Sequence, residues 1–360
     1  MFSAVHQILP TLNFGDAVGN QALRLRALLR QWGYASEIFA EAWDERRAAD
    51  CHLYTRYRRF SHANNLLIFH FSIGSQLPDF LRGLPDHIVV YYHNITPAHF
   101  FYRYNGALAR LLEEGRQQLS ALAKSYPAIA GSEFNAQELR ALGFVVVGLT
   151  PYTLSLEHSI VPASSAPLDP RFVKTDTLDW LYVGRLAPNK CIQDLLQAFY
   201  FYHYWINRRS RLMLVGPAHV FREYVNELYA LVTHLDLDGA VVFTSLVEDP
   251  APFYQQSDVF ITLSEHEGFC VLLVEAMQYE LPILAFASTA IPETLGRSGV
   301  LIREKNFPLI AEMVHEVTTN VELRRKLIQT QHQRRQELFT LDAAVEFRRL
   351  LSTLEGRWAL

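Results

Sequence analysis

Short apolar runs recur along this chain, and each is followed by a stretch with helical spacing of its hydrophobic positions. In the first half the runs are Asn65-Leu-Leu-Ile-Phe-His-Phe71, His87-Ile-Val-Val-Tyr-Tyr-His93 and Tyr126-Pro-Ala-Ile-Ala-Gly131. They are nearly continuous rather than alternating, which predicts strands buried on both faces, as in parallel sheets. From Trp180 the pattern restarts. It predicts strands at 179–183, 211–216, 240–244, 258–263 and 282–285, with helices from 191, from about 221 and from 270. Strands alternating with helices predict an α/β protein whose sheets carry helices on both sides. Between the halves, Pro162-Ala-Ser-Ser-Ala-Pro-Leu-Asp-Pro170 is the best linker candidate, because three prolines and two serines interrupt any regular pattern. The expectation is two doubly wound, Rossmann-like domains, 1–165 and 171–340, facing across a cleft.

Composition changes this picture little. A chain of 360 residues, half of them hydrophobic, suits two cores rather than one. A net charge of −4 and a pI near 6.4 give no general attraction for nucleic acid. Cys51, Cys191 and Cys270 are odd in number and widely spaced, which argues against a disulfide framework or a structural zinc site and fits a reducing compartment. With neither a signal-peptide pattern nor an uninterrupted apolar stretch of membrane-spanning length, the expected location is cytoplasmic.

The chemistry concentrates in two blocks. Glu267-Gly-Phe-Cys-Val-Leu-Leu-Val-Glu275 follows the apolar run 257–264, so it reads as strand, turn and helix. Gly268 lets the backbone approach a ligand, and the amides of Phe269, Cys270 and Val271 open a helix whose N-terminus favours a phosphate or a developing anion. Upstream, Leu181-Tyr-Val-Gly-Arg-Leu-Ala-Pro-Asn-Lys190 repeats the strand-then-turn logic, with Arg185 and Lys190 bracketing the turn. A guanidinium pairs phosphate oxygens bidentately, whereas an ammonium acts as a mobile point charge. Carboxylates accept from pairs of sugar hydroxyls, so Glu267 suits a transferred sugar and Glu275, two helical turns on, a ribose. Cations for phosphates between carboxylates for hydroxyls point to a nucleotide sugar.

These blocks, with Val274-Glu-Ala-Met277 and Leu281-Pro-Ile-Leu-Ala285, resemble the signature of the retaining GT-B glycosyltransferases of family 4, the glycosyl transferases group 1. The resemblance spans most of the chain and is strongest from Trp180 to Leu301. It implies that Arg185 and Lys190 bind the donor diphosphate and that His93, at a strand end, touches the transferred sugar. It also implies that Gly15 and its neighbours form a glycine-rich loop after the first strand. Asp16 stands where a second glycine is common, and could instead meet acceptor hydroxyls. Cys191, Cys270 and Glu280 also occupy positions where the family usually has glycine. A last helix, about 341–360, is expected to cross back onto the first domain. The implied reaction needs no metal, no cofactor and no dedicated protein base: the departing diphosphate takes the acceptor's proton on the same face. The implied partners are a UDP- or GDP-linked sugar and a glycan or lipid-linked acceptor, the latter bringing peripheral contact with the inner membrane face.

Other readings compete. Asp236-Leu-Asp238 matches an Asp-x-Asp metal pattern but lies between a helix and a strand, where aspartates serve turns. The aromatic stretch Phe199–Trp205 followed by Arg208 and Arg209 could form a membrane-surface patch, although a helix there needs a core-facing side. A sugar-nucleotide epimerase or phosphorylase could share the two-domain shape, and a non-catalytic nucleotide-sugar-binding scaffold partner could share the site. An NAD-dependent dehydrogenase would need a full GxGxxG with a later ribose-binding acid, and neither is found.

Overall fold

The computed structural model describes residues 2–150, 172–340 and 343–358, so the linker candidate 162–170 lies outside the described residues. The chain divides into two compact units. One comprises Met1–His99, Gly106–Ser159 and Phe339–Leu360; the other comprises Phe100–Asn105 and Ile160–Leu338.

The first unit is a seven-stranded parallel sheet of β1 (Val5–Leu12), β2 (Ile38–Trp43), β3 (His52–Leu53), β4 (Leu66–Phe71), β5 (His87–Tyr92), β6 (Ala128–Ala130) and β7 (Val146–Leu149). Its order is β3-β2-β1-β4-β5-β6-β7. Every residue of β4 is buried, which is why the sequence there shows no alternation. The sheet packs on Leu25 and Leu29 of the helix Ala17–Gln31, and on Phe347, Leu350, Leu351 and Leu354 of the C-terminal helix Ala343–Trp358. The two chain ends meet in this core, where the Phe2 amide donates to Glu355 Oε1 at 2.8 Å.

The second unit is a six-stranded parallel sheet: β8 (Leu178–Val183), β9 (Ser210–Val215), β10 (Val241–Phe243), β11 (Val259–Thr262), β12 (Ile283–Phe286) and β13 (Val300–Ile302). The order β10-β9-β8-β11-β12-β13 reverses direction between β8 and β11. At such a switch point the connections leaving adjacent strands diverge to opposite faces and leave a crevice beyond the strand C-termini. The turns carrying Arg185, Lys190 and Glu267 follow these two strands.

Phe100–Asn105, which the sequence pattern places inside the first domain, belongs to the second unit. Phe101 stacks on Phe221 with ring centroids 5.3 Å apart, and the Tyr104 hydroxyl donates to Glu227 at 2.8 Å. In the aromatic stretch, Phe199 and Tyr202 are fully buried against Trp180, while Trp205 on the adjoining π-helical turn is 64% exposed. Among the described residues no helix is long and apolar enough to cross a membrane.

The three departures from glycine noted in the sequence share one backbone property. Cys191, Cys270 and Glu280 have φ of 51°, 66° and 55°, the left-handed region where a Cβ crowds the carbonyl. Each non-glycine residue held there costs about 1–2 kcal/mol. Glu280 is exposed and follows the helix Val271–Gln278, and its ion pair with His332 is a surface contact. Glu280→Gly should therefore stabilise the protein by about 0.5–1 kcal/mol, the relief of strain exceeding the extra chain entropy of glycine. The change should read out as a rise of about 1–3 °C in thermal midpoint.

Candidate active site

The second unit assembles its site from two turns at the switch point. Past β8, the Tyr182 hydroxyl donates to the carbonyl of Arg185 at 3.2 Å, bracing the turn from beneath. A Cβ built on Gly216, at the end of β9, would lie 2.0 Å from the Gly184 carbonyl, so only glycine permits the approach of these two strand ends. Arg185 is exposed, and its guanidinium makes no ion pair among the described residues. Pro188–Lys190 form one turn of 3-10 helix ending at the left-handed Cys191, from which the helix Ile192–Phe201 starts.

Lys190 and Glu267 are in direct contact, Nζ to Oε1 at 2.5 Å, with their side chains 18% and 11% exposed. The two turns are also laced together by backbone. Asn189 Nδ2 donates to the carbonyl of His266 at 3.2 Å, and the amide of Glu265 donates to the carbonyl of Asn189 at 2.9 Å. Thr289, after β12, completes the frame: its hydroxyl accepts from the Glu267 amide and donates to the Glu267 carbonyl, both at 2.8 Å. Thr289 escapes a sequence reading, since one threonine in a loop carries no signal.

After Gly268, Cys270 takes its left-handed conformation and the helix Val271–Gln278 opens with no side-chain cap. An uncapped N-terminus presents amide donors and a positive partial charge. The thiols near both turns are neutral: burial pushes Cys191 up to about 11 and Cys270 well above the usual thiol value. Inside the helix, Glu275 accepts from the Tyr254 hydroxyl at 2.9 Å. Part of its surface remains accessible, yet the atoms packed around the carboxyl push its pKa up by desolvation, with the Tyr254 hydrogen bond opposing.

Cys191, Asp194 and Glu265 bring three potential metal ligands together. Lys305 Nζ contacts Asp194 Oδ2 and Glu265 Oε1, each at 2.6 Å, so a protein ammonium already balances that charge. Asp236 accepts from the Tyr204 hydroxyl at 2.8 Å and Asp238 from Thr233 at 3.3 Å, the turn chemistry the sequence suggested.

In the first unit, Gly15 (φ 70°) is followed by Asp16, whose carboxylate caps the helix Ala17–Gln31 by accepting from the Gly19 amide at 3.1 Å. That amide is thereby engaged by the protein itself. His93 is buried just past β5, and Asn94 turns the chain at φ 76°, its side-chain amide donating to Asn135 Oδ1 at 2.7 Å. His93 Nε2 lies 2.8 Å from Nδ1 of His70, a partner that the sequence did not reveal.

Two switch-point sheets define the GT-B fold, and solved structures agree. Sucrose-phosphate synthase from Thermosynechococcus elongatus superposes with a TM-score of 0.72 at 16% identity, covering 98% of this chain and 100% of that one. Anabaena HepE, solved in complex with UDP-glucose, gives 0.73 at 16% identity, covering 97% and 99%. Residues 177–320 match the model of the glycosyl transferases group 1 family. Curated relatives include the capsular polysaccharide biosynthesis glycosyltransferase CapM of Staphylococcus aureus, 26% identical over 150 residues, and the O-antigen chain mannosyltransferase B of Escherichia coli, 28% identical over 178 residues. The matches cover 41% and 47% of this chain, and 38% and 45% of those relatives' lengths.

The raised pKa of Glu275 has a definite sign. Its folded value lies above the ordinary glutamate value, so the native state binds the proton more tightly, and stability is lost as pH rises through the folded pKa. Glu275→Gln keeps an acceptor for Tyr254 and removes that loss. The variant should gain stability over the parent at pH 7.5, and the gain should shrink towards pH 4 in paired denaturant titrations.

Proposed function

We propose that this protein is a retaining glycosyltransferase that moves a hexose from a UDP- or GDP-linked donor to a hydroxyl of a glycan or lipid-linked saccharide in polysaccharide biosynthesis. The observation that carries the reading is the junction of the β8 and β11 turns. There the exposed Arg185 and the Lys190–Glu267 pair accompany an uncapped helix N-terminus at the switch point. Arg185 and the amides after Gly268 take the donor diphosphate, and Lys190 adds positive charge. Glu267 receives hydroxyls of the transferred sugar and Glu275 those of the ribose. In transfer the bond from the anomeric carbon to the diphosphate oxygen breaks. The diphosphate takes the acceptor's proton, and the acceptor oxygen joins the same face of the sugar. The growing charge on the leaving group is what the cations and amides stabilise. The relatives, a capsular polysaccharide biosynthesis glycosyltransferase and an O-antigen chain mannosyltransferase, support the acceptor class. Three free thiols fit a reducing compartment, so we place the protein in the cytoplasm, at the inner membrane face when the acceptor is lipid-linked.

The reaction needs no metal in this reading, because the diphosphate charge is met by side chains and amides. Release of UDP or GDP from a panel of nucleotide sugars should therefore proceed unchanged in excess EDTA. Abolition by chelator with rescue by Mn²⁺ would overturn metal independence, and no turnover of any donor would favour the non-catalytic scaffold.

Arg185 is the cleaner probe of the diphosphate site. Lys190→Ala would leave Glu267 as an uncompensated, largely buried charge and disturb the fold as well. Arg185→Ala should weaken binding of UDP or GDP, whichever the parent takes up, by about 1.5–3 kcal/mol, with an unchanged melting curve. Calorimetric affinity equal to the parent's would remove Arg185 from the site.

A further inference from the structure

Lys190 and Glu267 satisfy each other before any ligand arrives. Glu267 Oε1 lies 2.5 Å from Lys190 Nζ, and among the described residues no other cation contacts this carboxylate. Lys305, which reaches Glu265 two residues upstream, is shared with Asp194, each contact 2.6 Å long. The Glu267 backbone is pinned: the Thr289 hydroxyl accepts from its amide and donates to its carbonyl, both at 2.8 Å. The carboxylate therefore stays within reach of Nζ. Both side chains are largely out of water, so parting them leaves a poorly hydrated charge on each side.

A ligand phosphate changes this balance. An ammonium has three N–H donors but a single charge. A diphosphate that reaches Nζ either draws it off the carboxylate or shares it, and in both cases an anion comes to rest beside Glu267. Arg185 lies in the same field. Burial, and then the Glu267 charge, push the Tyr182 hydroxyl well above its usual range while Arg185 opposes them, and that hydroxyl donates to the Arg185 carbonyl at 3.2 Å. A diphosphate held by Arg185 is thus within electrostatic reach of Glu267 as well. A nucleotide sugar answers the carboxylate, because its sugar hydroxyls donate to it and replace the hydrogen bond that Lys190 withdraws. The phosphate oxygens of a bare nucleoside diphosphate bring only acceptors.

We propose that Glu267 is a tethered competitor for Lys190, so that the site holds a nucleotide sugar more tightly than the nucleoside diphosphate that transfer leaves behind. This rests on the reading of the two turns as a nucleotide-sugar site, and it adds a release device to that reading. Once the sugar has gone to the acceptor, the carboxylate regains the ammonium and the nucleoside diphosphate loses its hold on Nζ. Towards the bare diphosphate the pair is then nearly neutral, whereas Arg185, without an ion pair among the described residues, contributes in full.

The test is calorimetric binding of UDP, GDP, UDP-glucose and GDP-mannose to the full chain. Glu267→Gln keeps the shape and removes the charge. It should bind UDP or GDP, whichever the parent takes up, about tenfold more tightly than the parent, the reverse of what loss of a binding residue gives. The ratio of affinities for the sugar-bearing and bare forms should fall by about the same factor. Because glutamine leaves Lys190 without a counter-ion, the double variant Lys190→Met/Glu267→Gln, which buries no charge, is measured alongside. It should bind the bare diphosphate within about threefold of the parent. A folded Glu267→Gln with parent-like or weaker affinity for the bare diphosphate overturns the competition. Where that variant does not fold, a double variant weakened beyond threefold does so. In either case weakened binding in Arg185→Ala leaves the diphosphate site standing. A parent that takes up none of the four ligands overturns the nucleotide-sugar reading and the competition with it, so the two failures are distinct.

Discussion

A lysine and a glutamate held 2.5 Å apart, both largely out of water, bind the two halves of the second unit's site to each other. Either charge alone in that position would carry an uncompensated desolvation cost of several kcal/mol. Lys190 comes from the turn after β8 and Glu267 from the turn after β11, so the pair forms only when both strands lie side by side at the point where the sheet order reverses. Its backbone reinforcements, through Asn189 and Thr289, fix the carboxylate beside the start of the helix Val271–Gln278. The pair thus ties sheet topology to site geometry. It also means that any ligand phosphate reaching Lys190 competes with a protein carboxylate for the same ammonium.

The strands were legible because parallel sheets bury both faces of a strand. Runs such as Leu66–Phe71 and Ile283–Phe286 could be placed to within a residue from apolar content alone. Positions 191, 270 and 280 were legible in a subtler way. The resemblance sets each where glycine is usual, and the structure gives all three positive φ. The partnerships could not be read. Lys190 and Glu267 are 77 residues apart in sequence, and nothing local encodes their contact. His70 looks like an ordinary core histidine until the register pairing His70 with Tyr91 brings it beneath His93. Phe100–Asn105 reads as a loop between a strand and a helix of one domain, because its aromatic contacts, Phe221 and Tyr224, lie more than a hundred residues further on.

Strain and order coexist at the two helix starts. Cys191 and Cys270 each precede a first helical turn in a conformation that glycine would adopt freely. Their buried thiols hold the turns by packing, Cys270 within the core that includes Leu273 and Met277. Backbone held in a sparsely populated region by its surroundings does not relax to meet a ligand, so amides at these turns are pre-set in direction.

The composition of the first unit has a consequence for how the chain is made. Its described strands lie before residue 150, but its core includes Phe347, Leu350, Leu351 and Leu354, supplied by the helix Ala343–Trp358. Domains fold as the ribosome delivers them, and here the second unit is synthesised between two parts of the first unit's core. Until residues 343–358 are released, part of that core lacks its cover, so the nascent chain must carry exposed apolar surface through the synthesis of the second unit.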